Sequence, residues 1–179
     1  MTFRLETARL VLRSWREKDA EPFGAMGRDA RVMEFLGPLL DRDAVKAGIT
    51  RQMVLQRDLG HCFWAVARRN DGAFLGFCGL KPGPEGTPLE GGIEIGWRLA
   101  YDVWGQGYAR EAARASLDWG FHQLGVDSIC AMTVPGNVRS WGLMERLGMK
   151  RQARLDFDHP AMAEGDPLRP HIVYAACRT

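Results

Sequence analysis

Hydrophobic and polar residues alternate along several short runs of this chain, and other runs carry hydrophobic residues three or four positions apart. Alternation predicts β-strands with one buried face, whereas the wider spacing predicts amphipathic helices. The predicted strands cover residues 9–15, 62–69, 73–80, 92–99, 128–134, 149–156 and 171–177, and the predicted helices cover residues 16–28, 43–59, 106–124 and 137–148. This mixed order of strands and helices predicts an α/β domain with one central sheet.

Glycine, proline and charged residues mark the connections between these elements. Asn70-Asp71-Gly72 separates two apolar strands and is typical of a hairpin turn. Segments 35–38, 81–91 and 158–169 are predicted to be loops. In helix 106–124 the apolar stripe begins with small residues, which would let the helix pack closely on the sheet.

Composition excludes several classes of protein. At 179 residues and a net charge of +2, the chain is expected to form a single domain over residues 1–179, without the charge that nucleic-acid or membrane partners favour. No apolar run reaches the roughly 18 residues of a membrane span. The first residues are charged at Arg4, Glu6 and Arg9 and do not resemble a secretion signal, so a cytoplasmic location is expected.

The four cysteines are Cys62, Cys78, Cys130 and Cys177, and each lies in an apolar strand run far from the others. Metal sites usually hold cysteines in close pairs, so no metal is expected. We interpret these residues as buried, reduced thiols. The alternative, a catalytic cysteine, requires exposure and a neighbouring base.

Segment 104–110 joins strand 92–99 to the following helix through a turn with two glycines, Gly105 and Gly107. A helix that begins in this way presents unpaired N–H groups and the positive end of its dipole, which favour phosphate. The segment lacks the Lys-Ser/Thr pair of a Walker loop, and strand 128–134 lacks the acid of a dinucleotide fold. A phosphate-binding turn and a plain tight turn both remain possible.

A second motif, at residues 137–149, has a polar start, a helical apolar stripe and Gly148 as a stop. Together the two motifs resemble the GNAT superfamily of acyl-CoA-dependent N-acetyltransferases, and within it the RimJ/RimL-like branch. That branch has patterns close to EIGYWL, WGKGYATEA and N-x-x-S-x-x-x-x-E-x-L-G-M, where this chain has EIGWRL at 94–99, WGQGYAREA at 104–112 and NVRSWGLMERLGM at 137–149. TARLVLR at 7–13 is similar to the branch's first strand.

The resemblance implies the GNAT fold, with a mixed, mostly antiparallel sheet of about seven strands flanked by about four helices. It also implies acetyl transfer from acetyl-CoA to a primary amine, by direct attack in a ternary complex. The acceptor is expected to be a protein N-terminus or a small-molecule amine, and the family often forms homodimers. The residues expected to bind the cofactor are Trp97, Arg98, Leu99, Trp104, Gly105, Gln106, Gly107, Tyr108, Ala109, Arg110 and Asn137.

Glu94 is the candidate general base. It lies between Ile93 and Ile95, and by alternation it faces away from both. In the family, a carboxylate on this strand often acts as the base through water, and partial burial would raise its pKa toward a useful value. The alternative is a structural glutamate paired with an arginine. Glu111, in the first helical turn, is expected to cap or pair there.

Ser140 is the candidate for assisting the leaving thiolate. Many family members use a tyrosine seven residues after the asparagine, but this chain has Met144 there, which cannot donate a proton. The branch carries a serine at the position of Ser140, whose hydroxyl would hydrogen-bond the thiolate; the alternative is a plain helix-start residue. Asn137 is expected to orient cofactor or acceptor, or to act only as an N-cap.

The loop after residue 156 offers three further candidates, Asp156, Asp158 and His159. Because this loop borders the acceptor pocket in the family, these side chains are candidates for recognising a cationic amine, and solvated side chains are the alternative. The remaining histidines carry no motif and are interpreted as structural. A rival function is a non-catalytic acyl-CoA sensor, which would keep the glycine turn but need neither Glu94 nor Ser140.

Overall fold

The computed structural model describes residues 2–178, which contain five α-helices and nine strands. The helices are α1 (Ala20–Gly27), α2 (Ala30–Met33), α3 (Arg42–Leu59), α4 (Tyr108–Gln123) and α5 (Val138–Arg146). The strands are β1 (Arg4–Glu6), β2 (Leu10–Arg13), β3 (Phe63–Arg68), β4 (Phe74–Pro82), β5 (Ile93–Leu99), β6 (Ser128–Thr133), β7 (Lys150–Arg151), β8 (Phe157–Asp158) and β9 (Pro170–Cys177).

The strands form one sheet in the order β1-β2-β3-β4-β5-β6-β9-β7, with β8 paired to β9. All of these pairs are antiparallel except β5 with β6, which is parallel. The β5–β6 pair is registered at one position only, Glu94 opposite Cys130. The two central strands therefore separate toward their C-terminal ends.

Helix α4 covers one face of the sheet, and its small residues explain how closely it lies there. Ala112 and Ala113 are fully buried, and the buried Ser116 hydroxyl donates to the Ala112 carbonyl at 2.9 Å. A Cβ added at Gly120 would lie 2.5 Å from Leu80 of β4. The small residues in this stripe are thus a packing requirement, as the sequence predicted.

The other face carries aromatic side chains and a buried ion pair that joins β2 to α1. Arg13 donates to both carboxylate oxygens of Asp19, at 2.7 and 2.8 Å, and the backbone N–H of Arg16 donates to the same carboxylate at 2.8 Å. Both side chains are buried. This two-point contact fixes the direction in which the chain enters α1.

Most predicted elements are confirmed to within two residues, and two were wrong in detail. Run 9–15 is shorter, and a further strand, β1, precedes it. Run 16–28 begins as a 3₁₀ turn at Glu17–Asp19 before α1 starts. Run 149–156 is strand for only two residues and then forms a 3₁₀ turn at Ala153–Leu155. The sheet gains β1 and β8 over the predicted seven strands, and the short α2 is the fifth helix.

None of the helices within residues 2–178 combines the length and the apolar character that crossing a membrane requires.

Candidate active site

The separation of β5 from β6 opens a cleft in the middle of the sheet. Beyond Glu94, β5 pairs with β4 on one side only, while β6 pairs with β9 on its far side. An extended ligand arm that lies against β5 would find a strand edge with free backbone groups. Trp97, Arg98 and Leu99 lie on this stretch.

The glycine turn between β5 and α4 presents free backbone donors. Gly105 and Gly107 have φ values of +73° and +81°, in the left-handed region that glycine adopts without strain. Within residues 2–178, no acceptor receives a hydrogen bond from the backbone N–H groups of residues 105–110, and the first is the Glu111 N–H, bonded to the Gly107 carbonyl. Free donors at a helix start fit a diphosphate.

The side chains of Trp104 and Gln106 hold the turn itself. The Trp104 indole N–H donates to the Leu99 carbonyl at 2.8 Å, and the Gln106 amide donates to the Asp102 carbonyl at 3.1 Å. Trp104 also packs on Tyr101, with ring centroids 5.0 Å apart. These two side chains therefore stabilise the turn through hydrogen bonds to backbone carbonyls, whereas the Arg110 side chain is exposed to solvent.

The N-terminal hairpin formed by β1 and β2 contacts the same turn, and the sequence did not predict this contact. The Thr7 hydroxyl donates to the Glu111 carboxylate at 2.6 Å, and Arg9 binds that carboxylate through its backbone N–H at 2.8 Å and its Nε at 2.6 Å. Arg9 Nη1 donates to the Gln106 carbonyl at 3.0 Å. Its Nη2 lies 3.3 Å from where a Cβ of Gly107 would be. A guanidinium thus stands beside the free N–H groups.

Glu94 lies where the two central strands part, facing away from Ile95 as alternation predicted. Glu94 is only 7 % exposed, and the Lys81 ammonium lies 2.6 Å from the Glu94 Oε2 atom. Burial raises the pKa of Glu94, and the opposing positive charges of Lys81 and His171 limit that rise. The ion-pair partner is therefore a lysine from the neighbouring strand and not the arginine considered from the sequence.

Aromatic rings form the floor beside Glu94. A Cβ added at Gly96 would lie 2.5 Å from the Phe63 ring, so this ring rests on the β5 backbone. Phe63 stacks on Phe77 with centroids 5.5 Å apart, and the Arg98 guanidinium lies 5.3 Å from the Phe77 centroid. Burial lowers the pKa of Arg98 to about 10. Glu94 and Arg98 lie on one face of β5, with these rings between them.

Across the cleft, Asn137 caps α5 and fixes the position of Ser140. The Asn137 side-chain oxygen accepts from the Ser140 backbone N–H at 3.3 Å, and its amide donates to the Thr133 hydroxyl at 3.1 Å. The Ser140 hydroxyl makes no hydrogen bond within residues 2–178, so Ser140 is not the capping side chain. Met144 is almost fully buried in the core, which leaves it no part in chemistry.

The acids of the loop after residue 156 are paired with arginines. Asp156 pairs with Arg151 and also accepts from the Val173 N–H at 3.3 Å, while Asp158 pairs with Arg169 at 3.3 Å. His159 packs against His171, with centroids 5.1 Å apart. Residues 2–178 contain no cluster of three or more ligating side chains suited to a metal ion.

His171 lies closer to the site than its lack of a motif suggested, since it is near enough to Glu94 to lower the pKa of that carboxyl. The cysteines are free, but only Cys62 and Cys78 are buried; Cys130 is half-buried and Cys177 is exposed, which corrects the expectation of four buried thiols. Burial raises the pKa of Cys62 and of Cys78 to about 12, so neither forms a thiolate readily.

A cleft between splayed central strands, next to a glycine turn with free N–H groups, defines a class of acyltransferase. The chain belongs to the GNAT acetyltransferases: the family described as "Acetyltransferase (GNAT) domain" matches residues 9–150. It is therefore an acetyltransferase with acetyl-CoA as the acetyl donor, and the GNAT fold expected from its motifs is confirmed.

Two relatives and one solved structure illustrate the likeness. The chain is 33% identical over 147 residues to the uncharacterized protein YkkB of Bacillus subtilis (strain 168), covering 82% of this chain and 84% of that protein. It is 29% identical over 150 residues to the uncharacterized N-acetyltransferase YnaD of the same strain, covering 83% of each. The crystal structure of an acetyltransferase from Agrobacterium tumefaciens str. C58 superposes with a TM-score of 0.80 at 26% identity, covering 98% of this chain and 95% of that one.

Proposed function

We propose that this protein acetylates a primary amine, on a protein N-terminus or a small molecule, by direct attack of the amine on acetyl-CoA in a ternary complex. The observation that carries the proposal is the position of Glu94: a buried carboxylate with a raised pKa stands where the cofactor cleft opens. A raised pKa makes this carboxylate a stronger proton acceptor for an ammonium than an ordinary glutamate is.

In this proposal Glu94 takes the proton through a water molecule and Lys81 balances the charge of its carboxylate. The amine then attacks the thioester carbonyl, the C–S bond breaks, and the thiolate leaves toward α5, where the unbonded Ser140 hydroxyl can donate a hydrogen bond to it. The second proton of the amine passes to this thiolate, which gives the amide and the CoA thiol. The free N–H groups of residues 105–110 hold the diphosphate. The backbone of Trp97, Arg98 and Leu99 aligns the pantetheine arm. Asn137, as the N-cap, fixes the start of α5 beside the cleft.

The direct test measures CoA release from acetyl-CoA with a panel of amino acids, polyamines, aminoglycosides and N-terminal peptides. Turnover with any of these amines supports the proposal. Tight acetyl-CoA binding with no release on any acceptor would favour the rival function, a non-catalytic acyl-CoA sensor.

The motifs at 7–13, 94–99, 104–112 and 137–149 support placing the protein in the RimJ/RimL-like branch. We further propose that residues 1–179 form one catalytic domain that works in the cytoplasm as a homodimer. Sedimentation of the purified protein would test the dimer.

Arg9→Gln is expected to weaken acetyl-CoA binding about tenfold, because the guanidinium beside Gly107 adds a charge-assisted donor to the phosphate turn. Isothermal titration calorimetry with acetyl-CoA measures the change. The control is Arg4→Gln, which removes an arginine of the same hairpin that pairs with Glu6 away from the turn. Equal affinities for the two variants would show that Arg9 only braces Glu111.

Ser140→Ala is expected to lower turnover about tenfold while leaving acetyl-CoA affinity unchanged. The loss is modest, about 1–3 kcal/mol of transition-state stabilisation, because a thiolate is already a fair leaving group. Since Asn137 provides the cap of α5, little stability should be lost. Steady-state kinetics and thermal melting on the same variant measure both quantities.

Two further variants separate the possible roles of this helix start. Ser140→Thr keeps a hydroxyl and should restore part of the turnover, whereas Asn137→Ala removes the cap and should cost about 1 kcal/mol of stability. Normal turnover by Ser140→Ala would mean that the thiolate departs without help from this side chain.

A further inference from the structure

The face of β5 that carries Glu94, where the acceptor amine would bind, also carries Arg98, an arginine without a hydrogen-bond or ion-pair partner among the described residues. Arg98 shares this face with Glu94, yet its side chain donates no hydrogen bond and forms no ion pair within residues 2–178. Its Nε is fully buried without a hydrogen-bond partner, and the residue as a whole is half-buried. Burying part of a guanidinium without a counter-charge costs free energy, and a buried polar atom without a hydrogen-bond partner calls for an explanation, of which an absent ligand is one.

The acids that a cationic acceptor would need are already occupied. Glu94 is paired with Lys81 at 2.6 Å, and Asp156 and Asp158 are paired with arginines of the chain. These pairs leave Arg98 as the uncompensated charge of the Glu94 face among the described residues. An unpaired positive charge on this face favours an anion over a polyamine.

The spacing along β5 separates the base from this cation. Glu94 and Arg98 are four residues apart, which corresponds to about 13 Å between Cα atoms. The aromatic floor of Phe63 and Phe77 lies between them. An acceptor whose amine lies on the Glu94 side therefore has room on the same face of β5 to extend an anionic group toward the guanidinium.

We propose that Arg98 selects amine acceptors that carry an anionic group, a carboxylate or phosphate, and binds that group during the reaction. The inference rests on the proposed amine acetylation. The anion could also come from the cofactor's own phosphates, but those are expected at the glycine turn, where free N–H groups and Arg9 already provide for them.

Matched acceptors test the selection. For each α-amino acid, CoA release is compared among the acid, its carboxamide and the decarboxylated amine, and peptides with Asp or Glu near the N-terminus are compared with their Asn or Gln forms. The expected result is a preference of tenfold or more in kcat/KM for the anionic member of at least one set, arising mainly from KM. Arg98→Gln should abolish this preference, measured as the ratio of kcat/KM between the anionic and the neutral member of one set, whereas Arg98→Lys should keep part of it.

Calorimetry with acetyl-CoA and a control variant complete the design. The titration measures any effect of Arg98→Gln on acetyl-CoA affinity, and the exposed Arg51→Gln on α3 should leave the acceptor preference intact. A loss of acetyl-CoA affinity with an unchanged acceptor preference would assign Arg98 to the cofactor and overturn the inference.

The remaining outcomes separate the two proposals. Equal use of anionic and neutral acceptors, or a preference for polyamines, would overturn the role of Arg98 while upholding amine acetylation. Release of CoA with none of the amines would overturn both.

Discussion

Gly107→Val is expected to abolish acetyl-CoA binding while the domain stays folded. Gly107 has a φ of +81° and immediately precedes α4, so its side-chain position faces the space in front of the free N–H groups. A Cβ there would already lie 3.3 Å from Arg9 Nη2, and the methyl groups of valine would displace both this guanidinium and a diphosphate. Calorimetry with acetyl-CoA is the measurement, together with circular dichroism to establish folding.

Backbone strain must be separated from the loss of the site. A β-branched residue in the left-handed region costs about 1–2 kcal/mol wherever it is placed. Gly125→Val provides the control, because Gly125 has a φ of +66° and open space around its Cβ position, just beyond the far end of α4. This control should lose similar stability and bind acetyl-CoA normally. A folded Gly107→Val variant with parental affinity would contradict the placement of the phosphates.

The phosphate turn could be predicted from sequence because everything that defines it is local. Two glycines separated by one residue, a strand before and a helix after, specify the free N–H groups without knowledge of the rest of the fold. The same holds for the small residues of α4, since Ala112, Ser116 and Gly120 follow helical spacing. Local patterns of this kind fix an element and the face that it buries.

Contacts between distant segments could not be predicted in this way. Thr7 and Arg9 meet Glu111 across more than 100 residues, and nothing in their own neighbourhood distinguishes them from solvated side chains. The sequence TARL at 7–10 could be recognised as a motif. Its contact with Glu111, however, forms only because β2 packs beside β3 and α4 in the folded chain. Tertiary pairing depends on the whole topology, which composition and periodicity do not specify.

The partner of Glu94 depends on strand register. Lys81 lies opposite Glu94 because β4 and β5 pair across a long connecting loop, and a shift of one residue would turn the lysine to the other face. The acidic loop shows the same limit. Asp156 and Asp158 suggested contacts with a cationic acceptor, and only the structure shows that each of them pairs with an arginine of the chain.

Glu94→Gln is expected to lower turnover about 10²-fold or more while acetyl-CoA affinity stays at the parental value. Glutamine keeps the size of the side chain but cannot accept the proton, so the deficit should shrink at high pH, where the amine loses its proton to solvent. Burial raises the pKa of Glu94, so the parental rate should decline on acidification at a higher pH than an ordinary glutamate would give. Turnover measured across a pH series, with saturating acetyl-CoA, provides the comparison.

Lys81 gives this prediction a second, independent arm. Because Lys81 lowers the pKa of Glu94 against the effect of burial, Lys81→Gln should raise that pKa and move the acidic limb of the rate profile toward alkaline pH. Glu85→Gln, which changes an exposed acid in the loop between β4 and β5, is the matched control and should leave the profile unchanged.

The Glu94→Gln variant should remain folded. A raised folded-state pKa means that ionising this carboxyl lowers the stability of the protein as the pH rises through that value, so the neutral glutamine should not cost stability there. Normal turnover by Glu94→Gln near neutral pH, with no displacement of the profile in Lys81→Gln, would make the pair structural and leave deprotonation of the amine to water.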